Sequence, residues 1–101
     1  MTPGLFAPRA RRELLEAVAY IAEDNPEAAE NLLTVATAAA RRVTEKPTLA
    51  RTELRLAPAR YRFWSLRGYP YLLVIDTENR PPVVARFVHQ ARDLWVVLDE
   101  L

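Results

Sequence analysis

Residues 61–98 read YRFWSLRGYPYLLVIDTENRPPVVARFVHQARDLWVVL. At its start, Arg60, Arg62 and Trp64 share one face while Tyr61, Phe63 and Ser65 take the other. Strict alternation with aromatics is a strand signal. Arg67-Gly68 makes a turn. YPYLLVID is almost continuously apolar, the pattern of a central strand buried on both faces. Thr77-Glu78-Asn79-Arg80 is a second turn, and Pro81-Pro82 opens a third strand, VVARFVH. Three consecutive strands joined by short turns imply an antiparallel meander. Beyond it, Leu94, Val97, Leu98 and Leu101 fall at helical spacing, with Asp93 placed as the N-cap.

Upstream of the meander the period changes from two to 3.6. Ala10, Leu14, Leu15, Val18, Ile21 and Ala22 form an apolar stripe, with Arg11, Arg12, Glu16 and Glu23 opposite. Pro8 suits the first turn of this helix. Asp24-Asn25-Pro26 ends it and begins a second, with Asn25 as cap and Glu27 near the positive end. The second helix runs from about Pro26 to Glu45, with Ala29, Leu32, Leu33, Ala36, Ala40 and Val43 as its stripe, and Pro47 beyond its end. So short a linker predicts an antiparallel helical hairpin. Gly4–Ala7 reads as an edge strand, and Leu54 and Leu56, alternating with Arg55, as a short strand between Pro47 and Pro58. The expected fold is one α+β domain over residues 1–101: a two-helix antiparallel hairpin packed on a three- to four-stranded antiparallel sheet.

Composition narrows the function. The chain has 101 residues, enough for one core, and its 50% apolar and 27% charged content is that of a globular protein. No apolar run approaches the roughly 20 residues of a membrane span, and the N-terminus lacks the apolar core of a secretory signal. A cytoplasmic protein without membrane contact is therefore expected. With no Cys and one His, disulfides, thiolate nucleophiles and cysteine zinc sites are excluded, and no metal site or cofactor is expected. Net charge is +1, unevenly spread. Residues 1–50 hold six basic and seven acidic residues, whereas residues 51–92 hold eight arginines against Glu53, Asp76 and Glu78. Such an Arg excess reads either as a surface for an acidic partner or as a solvated sheet face.

Four motifs in order carry a family resemblance. They are the corner Tyr20, Ile21, Ala22, Asn25, Pro26, Ala28, Ala29; the pair Tyr61-Arg62; the strand Tyr71–Ile75; and the terminal His89-x-x-Arg92-Asp93. Together they resemble the ParE branch of the ParE/RelE toxin superfamily over nearly the whole chain. Two departures stand out: Ile75 sits where a second Tyr is common, and Pro47 lacks the usual following Gly. The resemblance implies a toxin of a type II toxin–antitoxin module that inhibits DNA gyrase by protein binding and is neutralised by a ParD-like antitoxin. It implies no direct nucleic-acid binding by the toxin alone. The alternative is a RelE-like endoribonuclease acting on mRNA.

The two readings ask different things of the residues. RNA cleavage needs proton-transfer groups and cations for the phosphorane; the available set is His89 with Arg62 and Arg86. His89 also suits a structural part, holding the Arg92/Asp93 corner by hydrogen bonds, and that reading is favoured, leaving no catalytic residue. For a binding toxin the target candidates are Arg62, Arg67 and Arg86, with His89, Arg92, Asp93 and Trp95 at the C-terminal corner. Antitoxin candidates are the outward Leu15, Leu33, Leu54 and Leu56, with Arg60 and Trp64.

Overall fold

The computed structural model describes residues 4–101. Helix α1 spans Pro8–Ala22 and α2 spans Pro26–Glu45. Each starts on a proline, whose missing N–H is one the first turn leaves unbonded anyway. Asn25 caps α2: its side-chain oxygen accepts from the Ala28 N–H at 3.1 Å. Glu27 and Arg42 complement the two ends of the α2 dipole. Ala10, Ala17, Ala29, Ala36 and Ala40 are buried, and these small side chains let the two axes approach closely.

Strands β1 (Tyr61–Ser65), β2 (Tyr71–Asp76) and β3 (Val83–His89) form an antiparallel sheet in the order β1-β2-β3. Gly68 turns the chain between the first two at φ +84°, a conformation that glycine adopts without strain. The central β2 is buried from Tyr71 to Ile75, as its apolar run predicts. A register shift between Val74 and Ile75 puts Arg86 opposite Val74 and Val84 opposite Ile75, leaving Ala85 as a bulge.

The sheet is covered on both faces. On one, Leu73, Ile75, Val84 and Phe87 pack against Leu14, Leu32 and Val43 of the hairpin. On the other, Phe63, Leu72, Val74 and Val88 pack against Val97 of a short helix α3, Leu94–Glu100, with Leu94 and Leu98 alongside. The α+β architecture is the one the element order predicts.

Three local expectations change. Gly4–Ala7 is no strand; it makes a single parallel bridge, with Val84 N–H donating to Leu5 O at 2.8 Å and Ala7 N–H to Val84 O at 2.9 Å. Leu54 and Leu56 lie in a turn in which the Glu53 carbonyl accepts from the N–H groups of Leu56 and Ala57, both at 2.9 Å. The outer edge of β1 is instead met by Arg51, which exchanges two backbone hydrogen bonds with Phe63. Asp93 precedes α3 but its carboxylate makes no cap bond, because it turns back to Arg92.

Candidate functional site

The C-terminal end of β3 builds a corner from its own polar groups. Arg92 N–H donates to His89 Nδ1 at 3.1 Å, and Asp93 N–H donates to the His89 carbonyl at 2.9 Å. With Nδ1 accepting, a neutral ring carries its proton on Nε2. The ring stands edge-on to Tyr71, 5.6 Å between centroids. Arg92 pairs with Asp93 at 3.1 Å. That hydrogen bond holds the Asp93 carboxyl below its usual range and the guanidinium above its own.

This corner closes one side of a cavity of about 250 Å³ between α1 and the end of the sheet. Glu13, Glu16 and Tyr20 of α1 line the opposite wall, with Tyr71 and Phe87 at the base. Tyr71 and Phe87 are stacked at 4.9 Å. Tyr71 is only 7% exposed, and burial pushes its phenol pKa up.

Arg86 has a different environment. Its Nη2 meets Glu13 Oε2 at 2.8 Å and its Nη1 meets Glu100 Oε2 at 2.8 Å. Glu13 also accepts from the Phe87 backbone N–H at 2.9 Å, and Arg9 joins Glu100 at 2.8 Å. One network thus ties α1, β3 and α3 together. Burial opposes the charge on Arg86, but the hydrogen bonds it donates to Glu13 and Glu100 outweigh it, so the guanidinium is held charged more firmly than usual. The bond from Arg86 lowers the Glu100 carboxyl in turn. Glu13 and Glu100 were not among the sequence candidates. The signal for them is the arginine inside an apolar strand, VVARFVH, since arginine is seldom buried without a partner.

The structure does not assemble His89, Arg62 and Arg86. Arg62 lies opposite Ile75 and His89 opposite Tyr71, four residues apart along β2, or about 13 Å, with a strand between them. Arg62 donates to the Ala50 carbonyl at 2.8 Å. Arg86 is enclosed by two carboxylates. The Arg excess is also dispersed. Arg51, Arg60, Arg86 and Arg92 are in ion pairs with carboxylates, whereas Arg67 is exposed in the β1–β2 turn.

The remaining candidates separate by position. Arg60 pairs with Asp76 at 2.9 Å and lies over the Tyr61 ring. Burial alone would raise the Asp76 carboxyl, but the bonds from Arg60 and the Glu78 N–H leave it lowered. Trp64 is half-buried against the hairpin, with the Arg42 guanidinium 5.7 Å from its ring centre. Leu15 is exposed on α1. Leu33 lines a shallow groove on α2 with Thr37 and Ala38. Leu54 is exposed, and Leu56 borders a small apolar groove with Leu94 and Leu98. Trp95 is 69% exposed on the outer side of α3. Among the described residues no group of His, Asp and Glu has the arrangement to hold a metal ion, and no helix is long and apolar enough to cross a membrane.

The family described as the ParE toxin of type II toxin–antitoxin systems, parDE, matches residues 5–94. The chain belongs to the ParE toxin family. The match runs from the segment bridged to β3 to the first residue of α3, so it includes the hairpin, the whole sheet and the His89–Asp93 corner. No curated protein matches the chain. Membership makes it a toxin of a type II toxin–antitoxin module, with an antitoxin as partner.

Proposed function

We propose that this ParE-family toxin inhibits DNA gyrase by binding it, without chemistry of its own, and is neutralised by a ParD-like antitoxin. The observation that carries the reading is the dispersal of His89, Arg62 and Arg86, the acid–base and cationic set that the ribonuclease alternative calls for. His89 Nδ1 is engaged by a backbone N–H, Arg86 is neutralised between Glu13 and Glu100, and Arg62 lies at the other end of the sheet. The antitoxin would present acidic and apolar residues to the exposed Arg67 and to the grooves at Leu33 and Leu56, since paired charges over covered apolar surface favour both affinity and specificity.

The test is induction of the chain in cells with DNA and protein synthesis followed separately, beside a supercoiling assay with purified gyrase. DNA synthesis and supercoiling are expected to fail before translation does. A well-folded His89→Ala protein should keep its toxicity, whereas loss of a general acid or base typically costs about 10²–10⁴ in rate. Cleavage of ribosome-bound mRNA by the purified chain, abolished in His89→Ala, would replace this reading with a ribonuclease.

A further inference from the structure

The cavity beside His89 contains groups that the fold leaves unused. Glu13 is saturated by Arg86 and the Phe87 N–H. Asp93 and Arg92 neutralise each other. What remains is a carboxylate at Glu16, without a partner among the described residues, and the hydroxyls of Tyr20 and Tyr71. Tyr71 is the decisive one. It is more than nine-tenths buried, yet its hydroxyl bonds to nothing among the described residues. Among the described residues no buried side-chain oxygen or nitrogen lacks a partner, so this hydroxyl reaches the open cavity. The charges that act on it are those of Arg92 and Asp93 on the cavity wall, and Tyr20 acts on it too.

Sign follows from this inventory. With Glu13 set against Arg86 and Asp93 against Arg92, Glu16 leaves one carboxylate in excess on the described wall, although the guanidinium of Arg92 also faces the Tyr71 hydroxyl. The walls are otherwise aromatic, from Tyr20, Tyr71 and Phe87. A carboxylate beside aromatic rings attracts a cation through both charge and ring quadrupole. A volume of about 250 Å³ admits one side-chain head group and falls below the usual range for whole small-molecule ligands. We propose that the cavity between α1 and the His89–Asp93 corner is a socket for a basic side chain, arginine or lysine, presented by a protein partner, with Glu16 as counter-charge and Tyr71 as hydrogen-bond acceptor. The reading above bears only on which protein presents that side chain. The pocket itself is tested with small probes, so failure here leaves gyrase inhibition standing.

The experiment is an NMR titration of the purified full-length chain with N-acetyl-arginine amide and N-acetyl-lysine amide. N-acetyl-glutamate amide and inorganic phosphate are run in parallel. Saturable shifts of the Tyr71 and His89 ring signals are expected with the basic probes and not with the anions. Tyr71→Phe, which removes only the hydroxyl, should weaken binding by about fivefold or more. Glu16→Gln changes an exposed residue, leaves folding untouched and should weaken it similarly. Three results overturn the assignment: preferential binding of glutamate or phosphate, binding of the basic probes that survives both substitutions, or no saturable shift with any probe.

Discussion

The sheet's two faces are closed by very different amounts of chain. On one side lie two helices of 15 and 20 residues, the second capped by Asn25, packed through fully buried Leu14, Leu32, Ala36 and Val43. On the other lies one helix of 7 residues, with Val97 as its single buried side chain. The hairpin is held by apolar area and close backbone approach. The short helix adds a polar fastening, Glu100 to Arg86 and Arg9, because seven residues cannot bury enough area alone. The family match covers the hairpin side in full and stops at Leu94, where the second cover begins. One face therefore rests on apolar packing, while the other depends in addition on charge.

The network joining the two covers is the sharpest place to break this contrast. Arg86→Ala is expected to cost about 3–5 kcal/mol, since it leaves Glu13 partly buried and unpaired while unfastening α3. Urea unfolding measures it, and a loss below about 1 kcal/mol would mean that the carboxylates are better solvated than their burial indicates.

That network also marks where the sequence stopped being legible. The hairpin could be read because its signals are local: a 3.6-residue stripe, a capping Asn and two prolines. The meander could be read for the same reason, through period-two aromatics at Tyr61–Ser65 and a doubly apolar run at Tyr71–Ile75. Arg86 looked like surface charge because its partner Glu13 lies 73 residues away, and a bulge at Ala85 alters the face it would otherwise take. Leu54 and Leu56 alternate like a strand, but Arg51 already occupies the available edge. The corner at His89–Asp93 was found as a motif, whereas its cavity needed Glu16 and Tyr20 from a distant helix.

Core truncations compare the faces directly. Leu32→Ala on the hairpin side should cost about 3 kcal/mol, and Val97→Ala on the α3 side about 2 kcal/mol, from transfer and cavity terms. Val97→Ala should also expose amides of Leu72 and Val88 to faster hydrogen exchange without affecting those of α1. Equal exchange on both sides would show that the two covers open together.

The smallest effect is expected from acid. The folded carboxyl of Glu100 is held below its usual value by Arg86. A lowered folded pKa stabilises above the unfolded value and loses that contribution as pH falls through the folded one. Protection of α3 should therefore weaken below about pH 4, the ordinary glutamate range, and Glu100→Gln should remove this dependence on the α3 side while leaving α1 unchanged. A Glu100→Gln chain that still loosens α3 over the same range would place the titrating group elsewhere, such as at Asp93.

The borders of the sheet carry a consequence for encounters with other chains. Along β3, Val84 exchanges hydrogen bonds with Leu5 and Ala7, the Phe87 N–H is taken by the Glu13 carboxylate, and the His89 carbonyl by Asp93 N–H. Along β1, Phe63 is engaged by Arg51. Little bare ladder is left to template another strand, the route by which open sheets polymerise. At these positions an incoming polypeptide finds little of the generic backbone pairing that any sequence can supply. It has to match side chains, so discrimination among near-identical partners is built into the periphery of the fold.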